Sequence, residues 1–294
     1  MSAQRRRLDA ELVRRGLAAS RQRALGAITS GRVLVGGAVA ERASRLVAPS
    51  EPVELLGPPP RFVGRGGEKL DAALDRFRVD VAGAVVLDAG ASTGGFTDCL
   101  LQRGAGTVVA VDVGHGQLDA RLRADRRVVV LERTDVRALD PALLAAALGR
   151  AHAAVDASVD APVDPPVDAM VDTVVADLSF ISLRSVVPVL AGPIVRAGGS
   201  LVVLVKPQFE VGRAEASRGR GVVRDPALWL SSLRSVASSL AAAGAAIMDA
   251  MPSPITGASG NVELLLHAVA HRLPPGSELS GEADEALRNA VGSA

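Results

Sequence analysis

Short apolar runs rich in valine recur along most of this 294-residue chain, and stretches with helical spacing separate them. The predicted strands are Val85–Leu87, Val108–Val111, Val128–Leu131, Val174–Ala176, Leu201–Val205 and Asn261–Leu266. Apolar strands that alternate with helices are typical of a parallel sheet whose two faces are both covered. The sequence therefore predicts an α/β domain built on a mostly parallel sheet and filling residues 65–272.

The first fifty residues differ from the rest of the chain in charge. They contain ten arginines and three acidic residues, a local balance of +7, whereas the whole chain has a net charge of +1. Apolar residues at helical spacing, followed by two apolar runs around Gly36-Gly37, predict two short helices and a β-hairpin. Residues 1–56 are therefore interpreted as a small basic α/β domain attached to a near-neutral one. The candidate phosphate contacts are Arg5, Arg6, Arg7, Arg14, Arg15, Arg21, Arg23 and Arg32, together with Arg65, and a solvated helix face is the alternative.

Three further segments stand apart from these two domains. Residues 57–64 start with a glycine and three prolines, which indicates a stiff linker. Residues 155–172 repeat Val-Asp every four positions, and their prolines exclude a regular helix. We interpret the repeat as a low-complexity insertion between two core strands, with a calcium-binding repeat as the alternative. Residues 273–294 are polar, and we expect a flexible tail.

The composition limits where the protein works. Cys99 is the single cysteine of the chain, which excludes an internal disulfide and favours a reducing compartment. The basic N-terminus is not followed by the apolar stretch of a signal peptide. No segment approaches the ~20 apolar residues that a membrane helix needs. We therefore expect a soluble cytoplasmic protein with no membrane span, no metal site and no obligate protein partner.

A glycine-rich turn, in the segment LDAGASTGGFT from Leu87 to Thr97, joins an apolar strand to a helix. Such turns let a ligand approach the backbone at the carboxyl end of a strand. Asp112 ends the next strand, where an acidic residue accepts hydrogen bonds from ribose hydroxyls. Asp135 follows the third strand, where its carboxylate is available to an adenine amino group. The pattern predicts a nucleoside-containing cofactor at this turn.

Two cofactor classes fit the turn. A dinucleotide prefers a glycine where Ser92 stands, and the carboxylate of Asp88 would repel its pyrophosphate. S-adenosylmethionine has an amino group, a sulfonium and no phosphate, and Asp88 favours such a cation. We therefore predict S-adenosylmethionine, with a tight turn that binds no ligand as the alternative. The candidate contacts are Asp88, Gly90, Ser92, Gly94, Gly95, Phe96, Asp112 and Asp135.

Four charged residues are expected around this turn. Lys69 lies on a helix before the first strand, and Glu263 lies on the last strand. Asp177 and Lys206 directly follow two apolar strands, and the carboxyl ends of parallel strands meet at one edge of a sheet. Surface ion pairs are the alternative for each residue taken alone. As a group, Lys69, Asp177, Lys206 and Glu263 are the predicted catalytic residues.

The order lysine, aspartate, lysine and glutamate around a glycine loop resembles the FtsJ-like ribose 2′-O-methyltransferases. Over residues 5–270 the chain is similar to the TlyA family, in which an S-four type RNA-binding domain precedes a Rossmann-like class I methyltransferase domain. The matching segments are Arg5–Val47, Arg65–Leu70, Asp88–Thr97, Ala176–Phe180, Val205–Glu210 and Thr256–Glu263. The resemblance implies methylation of ribose 2′-hydroxyls in ribosomal RNA, often at cytidine, with ribosomal RNA or ribosomal subunits as the partner. The Val-Asp repeat is not part of the family pattern.

Lys206 has the central role in the mechanism that we expect. Its ammonium would stabilise the developing alkoxide, or its neutral amine would accept the hydroxyl proton. Asp177 and Glu263 would orient Lys206 and the hydroxyl, and Lys69 would complete the network. The candidate stacking residues are Phe62, Phe96, Phe180, Phe209 and Trp229. The glycine- and arginine-rich segment 212–224 is either a lid over RNA or an exposed loop.

Three other functions remain open at this point. Some members of the family are labelled hemolysins, but the sequence shows no amphipathic or spanning segment that would act on a membrane. An NAD-dependent dehydrogenase would use the same fold. A non-catalytic RNA-binding protein would not need the four charged residues, which are present.

Overall fold

The computed structural model describes residues 5–18, 21–57, 60–155, 170–212, 215, 219, 221–257 and 259–294. The chain divides into two compact units, Met1–Gly64 and Arg65–Ala294. Each unit has its own cluster of buried apolar side chains. The division falls at the end of the predicted linker, so we describe the two units separately as the N-terminal and the C-terminal domain.

The N-terminal domain contains the two helices and the hairpin that its sequence predicts. Its elements are β1 Arg6–Arg7, α1 Leu8–Arg14, α2 Arg21–Thr29, β2 Val33–Val35, β3 Ala38–Val39, β4 Leu46–Val47 and β5 Val53–Leu55. Strands β3, β2 and β5 form an antiparallel sheet, and β1 pairs with β4. Gly36 and Gly37 both have positive φ, as a two-residue hairpin turn requires. Leu8, Leu12 and Ile28 bury the helices against the sheet.

The C-terminal domain alternates helices and strands over its whole length. Its elements are α3 Gly66–Phe77, β6 Val85–Ala89, α4 Gly95–Gln102, β7 Thr107–Val111, α5 Ala120–Arg123, β8 Val128–Leu131, α6 Pro141–Val155, β9 Val171–Ala176, α7 Val187–Leu190, β10 Val195–Val205, α8 Pro207–Glu210, α9 Pro226–Ala242, β11 Ala246–Pro252, β12 Leu264–Val269 and α10 Gly281–Gly292. Seven strands form one sheet in the order β11-β12-β10-β9-β6-β7-β8. Neighbouring strands from β10 to β8 are parallel, whereas β12 is antiparallel to both β10 and β11. The predicted α/β fold with a mostly parallel sheet is confirmed.

The far edge of this sheet differs from the prediction. Strand β11 was not expected, because Asp249 interrupts its apolar residues. Strand β12 begins at Leu264, so Glu263 directly precedes the last strand instead of lying on it. The segment before β12 is occupied by a turn in which the Gly257 amide donates to the Asn261 carbonyl over 2.9 Å. This shift places Glu263 at the end of that turn.

The expectation of a flexible tail after residue 272 is wrong. Helix α10 packs on the core through Leu287 and Ala290, which are 0% and 3% exposed. Asp284 forms ion pairs with Arg234 on α9 and with Arg288 on α10. These two buried residues lie three positions apart and so share one face of the helix. The residues around them are polar, so the sequence shows no clear apolar periodicity there.

The Val-Asp repeat lies largely outside the described residues, which stop at 155 and resume at 170. Its flanks belong to regular elements, because α6 runs to Val155 and β9 begins at Val171. Asp172 was assigned to the repeat, but it is part of β9. Its carboxylate accepts the Val85 amide over 2.7 Å and pairs with Arg196 over 2.5 Å. Within the described residues, no helix is long and apolar enough to cross a membrane.

Candidate active site

The glycine-rich turn between β6 and α4 uses backbone conformations that favour glycine. Gly90 has a φ of +87°, and a Cβ there would lie 2.7 Å from the carbonyl oxygen of Asp177. Gly94, the N-cap of α4, has a φ of +98°, and Gly95 begins the helix. Ser92 has a φ of +49°, which residues other than glycine rarely adopt. The turn therefore brings its backbone against the residue that follows β9, at the carboxyl edge of the sheet.

Asp112 braces this turn from the end of the neighbouring strand β7. One of its carboxylate oxygens accepts the Ser92 amide over 2.8 Å, and the other accepts the Gly114 amide over 2.7 Å. Each carboxylate oxygen has a second lone pair, so the side chain can still accept hydrogen bonds from ribose hydroxyls. The two amides hold the carboxylate in one orientation. This arrangement fits the predicted ribose contact.

Asp88 lies below the turn and is fully buried. Its Oδ2 accepts the Thr97 hydroxyl over 2.6 Å, whereas its Oδ1 accepts no hydrogen bond from any described residue. Burial raises the pKa of Asp88 to about 7, the Thr97 hydrogen bond opposes this rise, and the negative charge of Asp177 adds to it. A buried carboxylate oxygen without a donor is costly. Its presence beside the glycine turn fits a ligand that carries an ammonium group.

The other two predicted cofactor residues are placed differently. Phe96 is 3% exposed, and a Cβ on Gly66 would lie 3.3 Å from its ring. The Phe96 ring is therefore part of the wall of the site and has no free face for stacking. Asp135 is half-exposed and pairs with Arg137 over 2.5 Å, and the hydrogen bond from Arg137 holds the pKa of Asp135 at about 2. An adenine amino group would have to share this carboxylate with Arg137.

The four predicted catalytic residues form two lysine–carboxylate pairs. Lys206 Nζ lies 2.6 Å from Asp177 Oδ1 and donates a hydrogen bond to Ser179 Oγ over 2.9 Å. Lys69 Nζ lies 2.5 Å from Glu263 Oε2. The lysine side chains are 10% and 9% exposed, so the surface-pair alternative is wrong for both. Burying such pairs costs desolvation energy that their attraction does not always repay, which favours a functional reason for them.

Glycines bring the backbone close to both pairs. A Cβ on Gly66, at the start of the helix that carries Lys69, would lie 3.6 Å from Asp177 Oδ2. A Cβ on Gly257 would lie 2.6 Å from Glu263 Oε1, so a larger residue there would displace that carboxylate. Arg65 donates to the Thr256 carbonyl over 2.7 Å and ties the same two segments together.

These are the only two lysines in the sequence. The chain has 33 lysines and arginines together, and all the others are arginines. Arginine carries a planar guanidinium with five donors, whereas lysine carries a compact charge on a flexible stem. A chain that uses arginine everywhere else has kept lysine at two buried positions of one site. Both positions therefore carry a compact ammonium where the rest of the chain carries guanidinium groups.

Comparison with known proteins agrees with this geometry. The FtsJ-like methyltransferase family matches residues 62–269, and the S4 domain matches residues 6–53. The chain belongs to the FtsJ-like methyltransferase family. It is 46% identical over 265 residues, 90% of each chain, to the 16S/23S rRNA (cytidine-2'-O)-methyltransferase TlyA of Mycobacterium tuberculosis. The chain described here is also 34% identical to Hemolysin A of Brachyspira hyodysenteriae, over 90% of its own length and 99% of that protein.

A solved structure extends the similarity to the whole fold of this methyltransferase. A provisionally named hemolysin from Streptococcus thermophilus superposes with a TM-score of 0.68 at 33% sequence identity. The match covers 98% of this chain and 96% of that one. The expected family and the expected order of its two domains are therefore confirmed.

Several arginines of the S4 domain have partners within the domain. Arg7 and Arg21 both pair with Asp9, each over 3.0 Å. Arg14 and Arg15 both pair with Glu11, over 2.6 and 2.7 Å. Hydrogen bonds from Arg7 and Arg14, respectively, lower the pKa values of Asp9 and Glu11 to about 2, so both carboxylates are ionised at neutral pH.

Arg15 has a structural role in this methyltransferase, and its partners leave little of the guanidinium for the phosphate contact that we predicted. Its guanidinium also donates to the carbonyls of Ala48, Pro49 and Glu51, and its side chain is only 19% exposed. The Arg65 guanidinium likewise donates a hydrogen bond to the Thr256 carbonyl. Arg23 is half-buried. Arg5 and Arg6 are exposed, and their role as phosphate contacts stays a prediction. In the segment 212–224, Arg213, Arg218 and Arg220 lie outside the described residues.

Charge patterns in the sequence did not identify three residues around the site. Ser179 binds Lys206, and Glu210 accepts the Ser182 hydroxyl over 2.5 Å and the Leu183 amide over 2.7 Å. Asn261 is buried, accepts the Val223 amide and donates to the Gly221 carbonyl. Each of these residues acts through a backbone or side-chain partner that is close in space but distant in sequence. A serine or asparagine in a short loop gives no periodic signal.

Phe180 has the most unusual conformation near the site. Its φ is +68°, its side chain is 89% exposed, and its ring centroid lies 5.4 Å from that of Phe209. A bulky residue with positive φ is a rare outlier, and such strain is concentrated at functional sites. Trp229, in contrast, packs on the core and donates to the Val223 carbonyl. Of these candidate stacking residues, Phe180 presents the most open ring.

Proposed function

We propose that this protein transfers a methyl group from S-adenosylmethionine to the ribose 2′-hydroxyl of a cytidine in ribosomal RNA. The observation that carries the proposal is the pair of buried lysine–carboxylate contacts beside the glycine turn. The name of the Mycobacterium tuberculosis relative supports both the ribose position and the base. A cytoplasmic location follows from the proposal, because ribosomes are assembled there.

The residues around the turn fit the cofactor group by group. Asp88 offers a donor-free carboxylate oxygen to the amino group, and Asp112 offers two fixed oxygens to the ribose. Gly90 leaves the space that a Cβ would fill. S-adenosylmethionine supplies an electrophilic methyl group bound to a sulfonium, and this chemistry needs no metal ion.

The protein must then prepare the ribose hydroxyl as a nucleophile. Lys206 stands at the end of β10, and its ammonium is positioned to stabilise the negative charge that develops on the 2′-oxygen. Asp177 keeps a counter-charge 2.6 Å from this ammonium. Lys69 and Glu263 join helix α3 to the segment before β12 through their own ion pair. A fixed point charge acts more strongly on a developing anion than a mobile one, since no reorganisation is required.

The target nucleotide requires a surface beside this network. Phe209 connects the exposed ring of Phe180 to Lys206. The Phe209 ring packs against the Phe180 ring, and the Phe209 ring centroid lies 6.0 Å from Lys206 Nζ. Aromatic rings stack on unpaired bases with a gain of about 1–3 kcal/mol per base. We therefore assign Phe180 to the target base, and the S4 domain to the surrounding RNA through Arg5 and Arg6.

A comparison of ribosomal RNA from three strains tests this function. RNA is isolated from cells that lack the gene and from the same cells complemented with the wild-type or the Lys206→Ala protein. Nuclease digests are then analysed by mass spectrometry for 2′-O-methylcytidine. We expect at least one methylated cytidine to depend on the wild-type protein and to be absent with Lys206→Ala. Identical RNA from all three strains would refute the proposal.

A further inference from the structure

The contacts of Lys206 differ in direction as well as in distance. Its Nζ lies 2.6 Å from Asp177 Oδ1, yet that oxygen accepts no hydrogen bond of acceptable angle from any described residue. Its contact with Ser179 Oγ is a well-formed hydrogen bond of 2.9 Å. The contact with Asp177 is therefore chiefly one of charge, whereas Ser179 accepts one N–H along a defined direction.

This difference matters because a lysine ammonium is hard to aim. The side chain has a flexible four-carbon stem and three equivalent donors. The Coulomb attraction between two ions depends on distance and hardly on orientation, so the carboxylate alone leaves the ammonium free to rotate. A hydrogen bond weakens steeply when its angle falls below about 120°. One directed hydrogen bond removes that freedom and restricts where the remaining N–H groups point.

The loop that carries Ser179 is itself anchored at both ends. At its start, the Asp177 amide donates to the Ala89 carbonyl over 3.0 Å. At its end, the buried carboxylate of Glu210 holds the Ser182 hydroxyl and the Leu183 amide. The hydroxyl of Ser179 thus stands on a short segment between two fixed points. It is exposed at the rim of the site, where a substrate approaches.

We propose that Ser179 is a positioning residue that aims the Lys206 ammonium at the reacting ribose oxygen. The proposal rests on the function proposed above, in which Lys206 stabilises the developing alkoxide. Asp177 provides the counter-charge, and Ser179 sets the direction. Loss of Ser179 should therefore reduce the rate of methyl transfer and leave both ligands bound.

The kinetic test measures single-turnover methylation of ribosomal subunits from cells that lack the gene, at saturating S-adenosylmethionine. We expect Ser179→Ala to lower the rate about tenfold, equivalent to ~1.4 kcal/mol of transition-state stabilisation, with the Kd of subunits and of cofactor changed less than twofold. Ser179→Thr keeps the hydroxyl and should recover most of the rate. Ser185→Ala is the matched control, because Ser185 is exposed on the same segment and binds only the Ser182 carbonyl among the described residues.

A spectroscopic test needs no turnover, because the chain has only two lysines. Protein labelled with ¹³C at lysine Cε should give two side-chain signals, which Lys206→Met assigns. Ser179→Ala should move the Lys206 signal and leave that of Lys69 in place, and Ser185→Ala should move neither. Thermal unfolding of each variant verifies that the fold is intact.

Two reference variants separate this proposal from the proposed function. If Lys206→Ala methylates RNA at the wild-type rate, the catalytic role of Lys206 is wrong and Ser179 has nothing to aim. If Lys206→Ala is inactive while Ser179→Ala matches the wild-type protein in rate and in the Lys206 signal, the positioning role alone is overturned. In the Lys206→Ala background, adding Ser179→Ala should have no further effect, and an additional tenfold loss would also overturn it.

Discussion

The two domains of this methyltransferase use positive charge in opposite ways. All the positively charged side chains of the S4 domain are arginines, and most of them are exposed. Several of them pair with two buried carboxylates, Asp9 and Glu11. The catalytic domain places the only two lysines of the chain in buried pairs with Asp177 and Glu263. A forked guanidinium suits contacts with phosphate and backbone oxygens, and a compact ammonium suits a single reacting atom. The kind of cation, and not only its charge, therefore distinguishes the S4 domain from the candidate active site.

The largest expected effect is the loss of Lys206. Lys206→Ala should slow single-turnover methylation by about three orders of magnitude, equivalent to ~4 kcal/mol, while cofactor and RNA binding change little, because the charge acts mainly in the transition state. Lys206→Arg should be nearly as slow, because a planar guanidinium does not fit the place of a compact ammonium. An arginine variant with more than about a tenth of the wild-type rate would break the comparison between the domains.

The second expected effect concerns the stability of the catalytic domain. Lys69→Ala leaves the carboxylate of Glu263 buried without its partner, and breaking a buried pair in this way costs about 3–5 kcal/mol. Urea denaturation should show a loss of this order. The double variant Lys69→Met and Glu263→Gln should recover a substantial part of it, because no unpaired charge is left. A loss below about 1 kcal/mol in Lys69→Ala would show that the pair is open to water.

A third effect separates exposed arginines from paired ones in the S4 domain. Replacing Arg5 and Arg6 with glutamine should weaken binding to ribosomal subunits, on the order of 25-fold at 0.1 M salt, and should reduce the salt slope by about 1.5. Arg14→Gln is the control, since Arg14 pairs with Glu11 within the domain. If all three arginines contributed equally to the salt slope, pairing within the domain would be irrelevant to RNA binding.

The smallest expected effect is the pH dependence of cofactor binding at the glycine-rich turn. Burial raises the pKa of Asp88 to about 7, so its carboxyl is mostly protonated at pH 6 and mostly ionised at pH 8. A cationic amino group binds the ionised form, and cofactor affinity should therefore rise roughly tenfold from pH 6 to pH 8. Calorimetric titration at both pH values measures this change. Asp88→Asn should bind weakly and equally at both, and an equal pH response of the variant would move the effect to another group.

How far the sequence predicts this molecule depends on how local each signal is. The valine runs predict the five parallel strands, because such strands are apolar throughout. Strand β11 and helix α10 were missed, since Asp249 and the polar face around Leu287 hide their apolar positions. Their stability comes from packing on the domain and not from local pattern.

The same distinction applies to the site. Lys69, Asp177, Lys206 and Glu263 are visible in the sequence because charges next to apolar strands are conspicuous. Their pairing is not visible, since Lys69 and Glu263 are 194 residues apart. The positive φ of Phe180 and the hydrogen bond of Ser179 also depend on the folded loop, as does the burial of Phe96. The residues of the proposed site were thus predicted from the sequence, whereas their pairing is seen only in the folded structure.

The scarcity of lysine has a consequence for how cells and reagents can modify this protein. Apart from an α-amine, every primary amine of the chain lies in the active site, 9–10% exposed and engaged with a carboxylate. Acyl donors such as thioesters and acyl phosphates react with neutral, accessible amines and remove the charge of lysine. The arginine-covered surface gives them no side-chain target. Acylation of a lysine in this enzyme would therefore remove a charge from the proposed active site, and we expect bound substrate to protect against it.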